Sequence, residues 1–331
     1  MINFTEKRLT ELKNNFFNKK IAVIGDLMLD GYFWGDVKRI SPEAPVPVVE
    51  IDNQFFRFGG SANVVLNIRK LGAIPFPFGV VGNDNEKEIL NGLFNENNID
   101  KLDGIIIDES RPTTVKIRVI AANQHLVRID KESKKNIDES IQQKLITEFK
   151  KIADGIDAVI LEDYNKGVLT KEVIEEIISI AKAKNKLITV DPKFDNFFEY
   201  KNVDVFKPNK KEIEDAFGKK FPTEKDIENA GHELINKMNV KNVLITLGNK
   251  GAALINDGKT MVVPTKARKV ADVSGAGDTV ISTLTVALTA GAEILEAAYL
   301  ANYAGGLVCE EVGIVPINID QLFNEVREDL K

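Results

Sequence analysis

The stretch DVSGAGDTVISTL (272–284) places glycines on either side of an alanine, follows them with a carboxylate, and turns apolar with no further glycine before Gly291. Glycine allows backbone angles that a side chain disfavours, and without a Cβ it lets a ligand approach the main chain. The apolar run predicts a helix, whose first turn offers unpaired N–H groups and a partial positive charge. Glycines feeding a helix N-terminus make a site for phosphate. Gly275, Ala276 and Gly277 are therefore expected to aim N–H groups at an anion. Asp278 has two readings. It caps the helix, a common use of aspartate, or it takes the proton from a hydroxyl attacking a phosphoryl group. On the second reading the nearby N–H groups stabilise charge on the group in transit. The turn is then built for phosphoryl transfer to an alcohol.

The chain around this turn has 331 residues, enough for one large domain or two modest ones. Its 44% hydrophobic and 28% charged content fits a soluble globular protein with a real core. The net charge of −6 argues against a nucleic-acid binder. A single cysteine, Cys309, excludes an internal disulfide framework and suits a reducing compartment, and its apolar helical context points to the core. The N-terminus is charged and lacks the apolar stretch of a signal peptide. The longest apolar run, 280–292, is broken by hydroxyl residues and falls short of the about 20 residues a membrane span needs. A cytoplasmic protein with no membrane partner is expected.

Short β-rich runs alternate with amphipathic helical patterns. IAVIG (21–25), AVILED (158–163), LITVDP (187–192), VDVFKPN (203–209) and NVLITLG (242–248) read as buried strands. Between two of them, TKEVIEEIISIAKAK (170–184) puts Val173, Ile174, Ile177, Ile178 and Ala181 on one helix face. Such alternation implies an α/β fold, a doubly wound and mostly parallel sheet flanked by helices. Ligands gather at the carboxyl ends of such strands. Asp26, Asp163, Asp191, Asn209 and Gly248 lie there and are candidate ligand-facing residues. Two segments break the pattern. PEAPVPVVEI, within 31–58, has prolines that suit an edge strand, and 111–130 alternates like a strand pair joined near 122–123. Together they predict a small β lid over the strand ends. Val46, Val48, Ile51, Val115, Ile117 and Val119 are expected to give it an apolar side, buried against the same lid of a second copy in a homodimer.

With these pieces in order, the sequence resembles the ribokinase-like (PfkB) carbohydrate kinases over nearly its whole length. GDLMLD (25–30), GGSAN (59–63), PNKKE (208–212), TLGNKGA (246–252) and GAGD (275–278) carry the resemblance. It implies a single kinase domain over 1–331, using ATP and magnesium and leaving a monovalent cation, potassium, open. It places Asp30, Gly59, Gly60 and Asn63 in the sugar pocket. It places Asn209 and Glu212 near the phosphates and magnesium, which they hold through water. Thr246, Gly248, Gly251 and Asn302 fall on the nucleotide side, with Gly275, Ala276, Gly277 and Asp278 as anion hole and base.

Within that family, GDLMLDGYFWGDVKRISPEAPVPVVEI (25–51), EDYNKGVLT (162–170) and DPK (191–193) are similar to the D-glycero-β-D-manno-heptose-7-phosphate kinases of lipopolysaccharide core synthesis. The similarity implies phosphorylation of the O1 hydroxyl to give the 1,7-bisphosphate. A phosphorylated sugar needs cations, and Arg39, Lys116, Arg118 and Arg128 in the lid segments, with Lys166 and Lys193 after strands, are the candidates. Each of them serves equally well as an ordinary solvated charge. Many relatives fuse the kinase to a nucleotidyltransferase bearing H-x-G-H. This chain has only His125 and His232, so a separate adenylyltransferase chain is expected. Competing readings are a kinase for another phosphorylated sugar and a non-catalytic sugar- or nucleotide-binding regulator. A dinucleotide-dependent dehydrogenase is disfavoured, because GDLMLD lacks the glycine spacing that admits a pyrophosphate.

Overall fold

The computed structural model describes residues 4–122, 124–256, 258–265, 270–311 and 313–329. Its strands are β1 (Lys20–Gly25), β2 (Leu27–Ile40), β3 (Pro47–Gly60), β4 (Ile74–Val81), β5 (Gly104–Ile107), β6 (Thr114–Ala121) and β7 (Gln124–Lys131), then β8 (Ala158–Glu162), β9 (Leu187–Asp191), β10 (Val205–Phe206), β11 (Asn242–Thr246), β12 (Ala252–Asn256) and β13 (Lys259–Val263). The helices are α1 (Glu6–Phe16), α2 (Ser61–Lys70), α3 (Asn85–Glu96), α4 (Glu139–Ile152) and α5 (Lys171–Ala183), followed by α6 (Lys210–Phe217), α7 (Glu224–Met238), α8 (Ala276–Thr289), α9 (Ile294–Val308) and α10 (Ile319–Glu328).

Among the described residues nine strands form one sheet, in the order β13-β12-β11-β10-β9-β8-β1-β4-β5. From β11 to β5 neighbouring strands run parallel, while β12 and β13 are antiparallel additions at one edge. Both faces are covered, because successive strand residues point to opposite sides. Ala158 and Ile160 of β8 join a core with α1, α2, α8, α9 and α10, whereas Val159 and Leu161 join one with α4, α5 and α7. Helix α5 starts where Thr170 accepts a hydrogen bond from the Val173 N–H at 3.3 Å, and all five residues of its expected apolar face are buried.

The strand pattern did not reveal β4, with Pro75 and Pro77, or the strands at either edge. Strand β5 pairs only with Phe78–Val81, so the prolines lie where one side of β4 is open and a missing N–H breaks no ladder there. The lid is a separate four-stranded sheet, β3-β2-β6-β7, reaching a few residues beyond its expected limits. Strand β2 leaves the carboxyl end of β1 after one residue, Asp26, so the lid is rooted at the strand ends. The proline-led β3 is indeed at its edge. Asn123, half of the expected turn, lies outside the described residues; Ala122 beside it has φ +48°.

The lid's apolar side differs from expectation. Cross-strand registers put Phe33, Ile117, Val119, Val127 and Ile129 on one face, and Asp30, Tyr32, Lys116, Arg118, Arg128 and Asp130 on the other. Val115 belongs to the main core and is fully buried, and Ile117 packs against that core. Of the expected residues Val46 and Ile51 are exposed, and they are joined by Val37, Ile40, Leu126, Val127 and Ile129, which were not expected. Root residues are covered by the body of the protein, and only the outer part of the sheet presents apolar surface.

Candidate active site

Helix α8 begins after Gly275, whose φ of +77° suits glycine, and no side chain caps it. Asp278 is the third helical residue, 4% exposed, and does not cap. Its two oxygens instead accept hydrogen bonds from the Asn63 amide and the Tyr164 hydroxyl, each at 2.7 Å. Burial pushes the carboxyl up to about 6; the Asn63 and Tyr164 hydrogen bonds oppose this, Asp191 adds to it, and Lys207 opposes it. A carboxylate with that affinity is ionised at neutral pH and still accepts a proton readily.

The loop carrying Tyr164 is held by Asp26, which accepts from the N–H groups of Tyr164 (2.8 Å), Lys166 (3.1 Å) and Val168 (3.3 Å). Asp163 accepts from the Tyr200 hydroxyl at 2.6 Å and the Asn165 N–H at 2.8 Å. Both were expected to face a ligand. The structure corrects this: each is almost fully buried and spends its oxygens organising the loop after β8. Burial pushes the Asp163 carboxyl up to about 7, with Asp26 adding to the effect.

A cleft of about 550 Å³ opens beside Asp278. Gly275, Ala276 and Gly277 line one side and Thr246, Gly248, Gly251 and Asn302 another, so the two glycine-containing loops face a common space. Of the cradle residues, Ala276 spends its N–H on the Val273 carbonyl at 3.3 Å. Lys193, Lys207, Asn209 and Glu212 complete the wall. Lys207 is buried against Asp191 at 2.7 Å; burial works to lower its pKa, but Asp191, Glu212 and Glu162 outweigh it. Asn209 and Glu212 form a reciprocal cap on α6, at 2.9 and 2.8 Å, and the other Glu212 oxygen takes the Lys193 ammonium. Lys193 therefore lines the cleft beside α6, with its ammonium 5.2 Å from the centre of the Tyr164 ring. A carboxylate and an amide oxygen are hard donors that suit magnesium, and with both already engaged, contact through water fits them better than direct ligation.

The segment from Gly59 to Asn63 joins this cleft to the lid. A Cβ on Gly59 would lie 2.5 Å from an Asp30 oxygen, and one on Gly60 2.6 Å from the Asp26 carbonyl, so the chain passes too close for side chains. Asp30 is 3% exposed, and Arg118 pairs with it while lying 5.3 Å over the Tyr32 ring. Lys116 and Lys166 meet on Glu132, each at 2.9 Å. Arg128 is mostly exposed and paired with Asp130 at 2.9 Å. Arg39 is exposed near the end of β2, nine residues beyond Asp30, or about 30 Å of extended strand. The structure thus groups Asp30, Gly59, Gly60, Asn63 and Lys166 near the lid root, places Arg128 across from Arg118 on the lid face that carries Asp30, and leaves Arg39 outside that group. Sequence reasoning missed Tyr164, Lys207 and the Arg118–Asp30 pair. Only their places after strand ends or in the lid hinted at them.

A model of the pfkB family of carbohydrate kinases matches residues 18–320. The chain belongs to that family. It is an ATP-dependent carbohydrate kinase. The bifunctional protein HldE of Desulfatibacillum aliphaticivorans is 41% identical over 314 residues, covering 95% of this chain and 64% of that protein. HldE of Helicobacter hepaticus is 41% identical over 294 residues, covering 89% and 61%. The chain thus spans under two thirds of the length of these relatives. Solved structures agree on the ribokinase-like fold. The tetrameric inhibited form of Escherichia coli phosphofructokinase-2 superposes with a TM-score of 0.77 at 19% identity, over 95% of this chain and 99% of that one. Arabidopsis thaliana ribokinase with ribose and ATP gives 0.72 at 19% identity, over 93% and 99%. Among the described residues no helix is long and apolar enough to cross a membrane.

Proposed function

We propose that this pfkB kinase transfers the γ-phosphoryl group of ATP to the O1 hydroxyl of D-glycero-β-D-manno-heptose 7-phosphate, giving the 1,7-bisphosphate for ADP-heptose synthesis in the cytoplasm. The observation that carries the reading is the 41% identity to HldE across 95% of the chain, which includes the 25–51 stretch similar to the heptose 7-phosphate kinases. Residues 1–331 act as one catalytic unit in this reading, with the lid closing over the sugar. An adenylyltransferase consumes the product.

In the reaction, Asp278 accepts the proton as the O1–H bond breaks and the oxygen bonds to the γ-phosphorus. The bond to the β,γ-bridging oxygen breaks, and ADP leaves with the electron pair. N–H groups at the start of α8 and the ammonium groups of Lys207 and Lys193 stabilise the charge spread over the phosphoryl oxygens. Asn209 and Glu212 would hold magnesium through water, and the ion would supply neutralisation of the phosphate charge. Asp30 and Asn63 orient the sugar. Lys116, Lys166 and Arg118 supply the cations for its 7-phosphate, as they project from the lid's polar face and the loop below it. Two copies pair through the outer apolar part of their lids. Potassium, which one solved fold relative holds, enters as an assay variable.

The test is a panel of sugar phosphates with ATP and magnesium, with the new phosphate located by phosphorus NMR. The expected product carries phosphate on O1 of the heptose. Faster turnover of another phosphorylated sugar, with the heptose untouched, would move the enzyme to a different substrate.

A further inference from the structure

Glu162 has no part in the mechanism above, yet it lies beside the base. It ends β8 on the same face as Ile160, the side covered by α8. It is 0% exposed, and neither carboxyl oxygen has a hydrogen-bond partner. One oxygen each from Glu162, Asp191 and Asp278 lie within 4.8 Å of one another. The other two carboxyls are provided for: Asp191 has the Lys207 ammonium at 2.7 Å, and Asp278 has Asn63 and Tyr164. An ionised Glu162 would be a buried, unpaired anion facing two more, an arrangement proteins avoid by neutralising the group. A divalent cation could do this, but Lys207 already occupies Asp191 and donors already sit on both Asp278 oxygens. A proton needs no such vacancy.

We propose that Glu162 is a positioning residue that holds a proton in the resting enzyme, and that as a neutral acid it donates a hydrogen bond into the Asp191–Asp278 pair. The inference rests on the reading of Asp278 as the base. Glu162 is faced by Asp191 from β9, Asp278 from α8, Lys193 and Lys207 from the segments after β9 and β10, and Tyr164 and Tyr200 from nearby loops. Burial, then Asp191 and Asp278, raise its carboxyl well above the usual range against the pull of Lys207 and Lys193. Its neutrality matters to the reaction. A third negative charge would hold the proton on Asp278 at neutral pH and disable the base.

Two measurements test this. Infrared difference spectra between wild type and Glu162→Gln, without substrate, should contain a protonated carboxylic acid band at neutral pH that shifts in heavy water. A difference containing only carboxylate bands would overturn the proposal. This arm is independent of whether Asp278 is the base. The second is the acid limb of the kcat/KM profile. Glu162→Leu removes the donor and should move the limb up by about one pH unit. Glu162→Gln restores a neutral donor and should bring it back to within about 0.3 unit of wild type. If Glu162 is charged, both variants lose a negative charge and both limbs move down. Down-shifts in both, or no shift in either, reject the positioning role. Manganese binding to the nucleotide-free protein that is lost in Glu162→Gln would assign the cluster to a cation instead. Should Asp278→Asn keep full turnover, the base assignment fails while the infrared result still stands.

Discussion

Asp278 combines two properties that pull against each other, since it is buried enough to bind a proton tightly yet held ionised by two donors. Asp278→Asn keeps the shape and cannot accept a proton, so turnover should fall roughly 10²-fold or more with ATP binding little changed. Near wild-type turnover in a folded mutant would remove the base. The wild-type rate should decline as pH falls through about 6, where the carboxyl takes up its proton. The stability effect has the opposite sense. A raised carboxyl pKa makes the folded chain bind more protons than the unfolded one between the ordinary value and about 6, so this group's contribution is lost as pH rises through that window. Asp278→Asn should therefore raise the melting temperature at neutral pH and lose that advantage in acid. Tyr164→Phe deletes one donor to the carboxylate and should move the acid limb up by about a unit; an unmoved limb would mean the hydroxyl has no hold on the base.

At the scale of elements, α6 has a side-chain cap that doubles as part of the candidate site. Glu212 closes the reciprocal cap with Asn209, pairs with Lys193 and faces the cleft. Glu212→Gln should raise the magnesium concentration for half-maximal rate several-fold, and cost about 1 kcal/mol in stability through the weakened cap and lost ion pair. A magnesium titration that overlays wild type, with stability alone reduced, would leave Glu212 a cap only. The lid strands teach a different lesson. Alternation identified them, but alternation does not say which end of a strand the body of the protein covers. Val115 and Ile129 both lie on lid strands, yet the first is in the core and the second is 51% exposed.

For the whole molecule, the exposed apolar part of the lid is the feature that needs a partner, because a small sheet with one such face bare to water is marginal. In the proposed homodimer a second copy would cover it with one self-complementary contact. Light scattering across a dilution series should give about twice the 36.7 kDa chain mass. Val127→Glu, at a position 52% exposed on that face, should weaken the dimer and leave the main sheet folded. Ile117 is the poorer probe, since it packs against the core. A strictly monomeric wild type at micromolar concentration would remove the lid contact from the proposal.

The sequence by itself determined the architecture and the reacting turn. Most of the buried parallel strands read as continuous apolar runs, with the proline-bearing β4 as an exception, the covering helices carry one apolar stripe, and glycines ahead of an apolar run mark a helix start suited to an anion. These are local patterns, legible one segment at a time. What surrounds Asp278 was decided only by the tertiary structure. Asn63, the Glu162–Tyr164 pair, Asp191 and Lys207 come from four separate segments, and nothing in the spacing of those segments shows that they converge. The same holds for Asp26 and Asp163, which stand where ligand-facing residues are expected but spend their oxygens on a loop. A carboxylate's role depends on which donors reach it and how much water is excluded, and both are set by packing between segments distant in the chain.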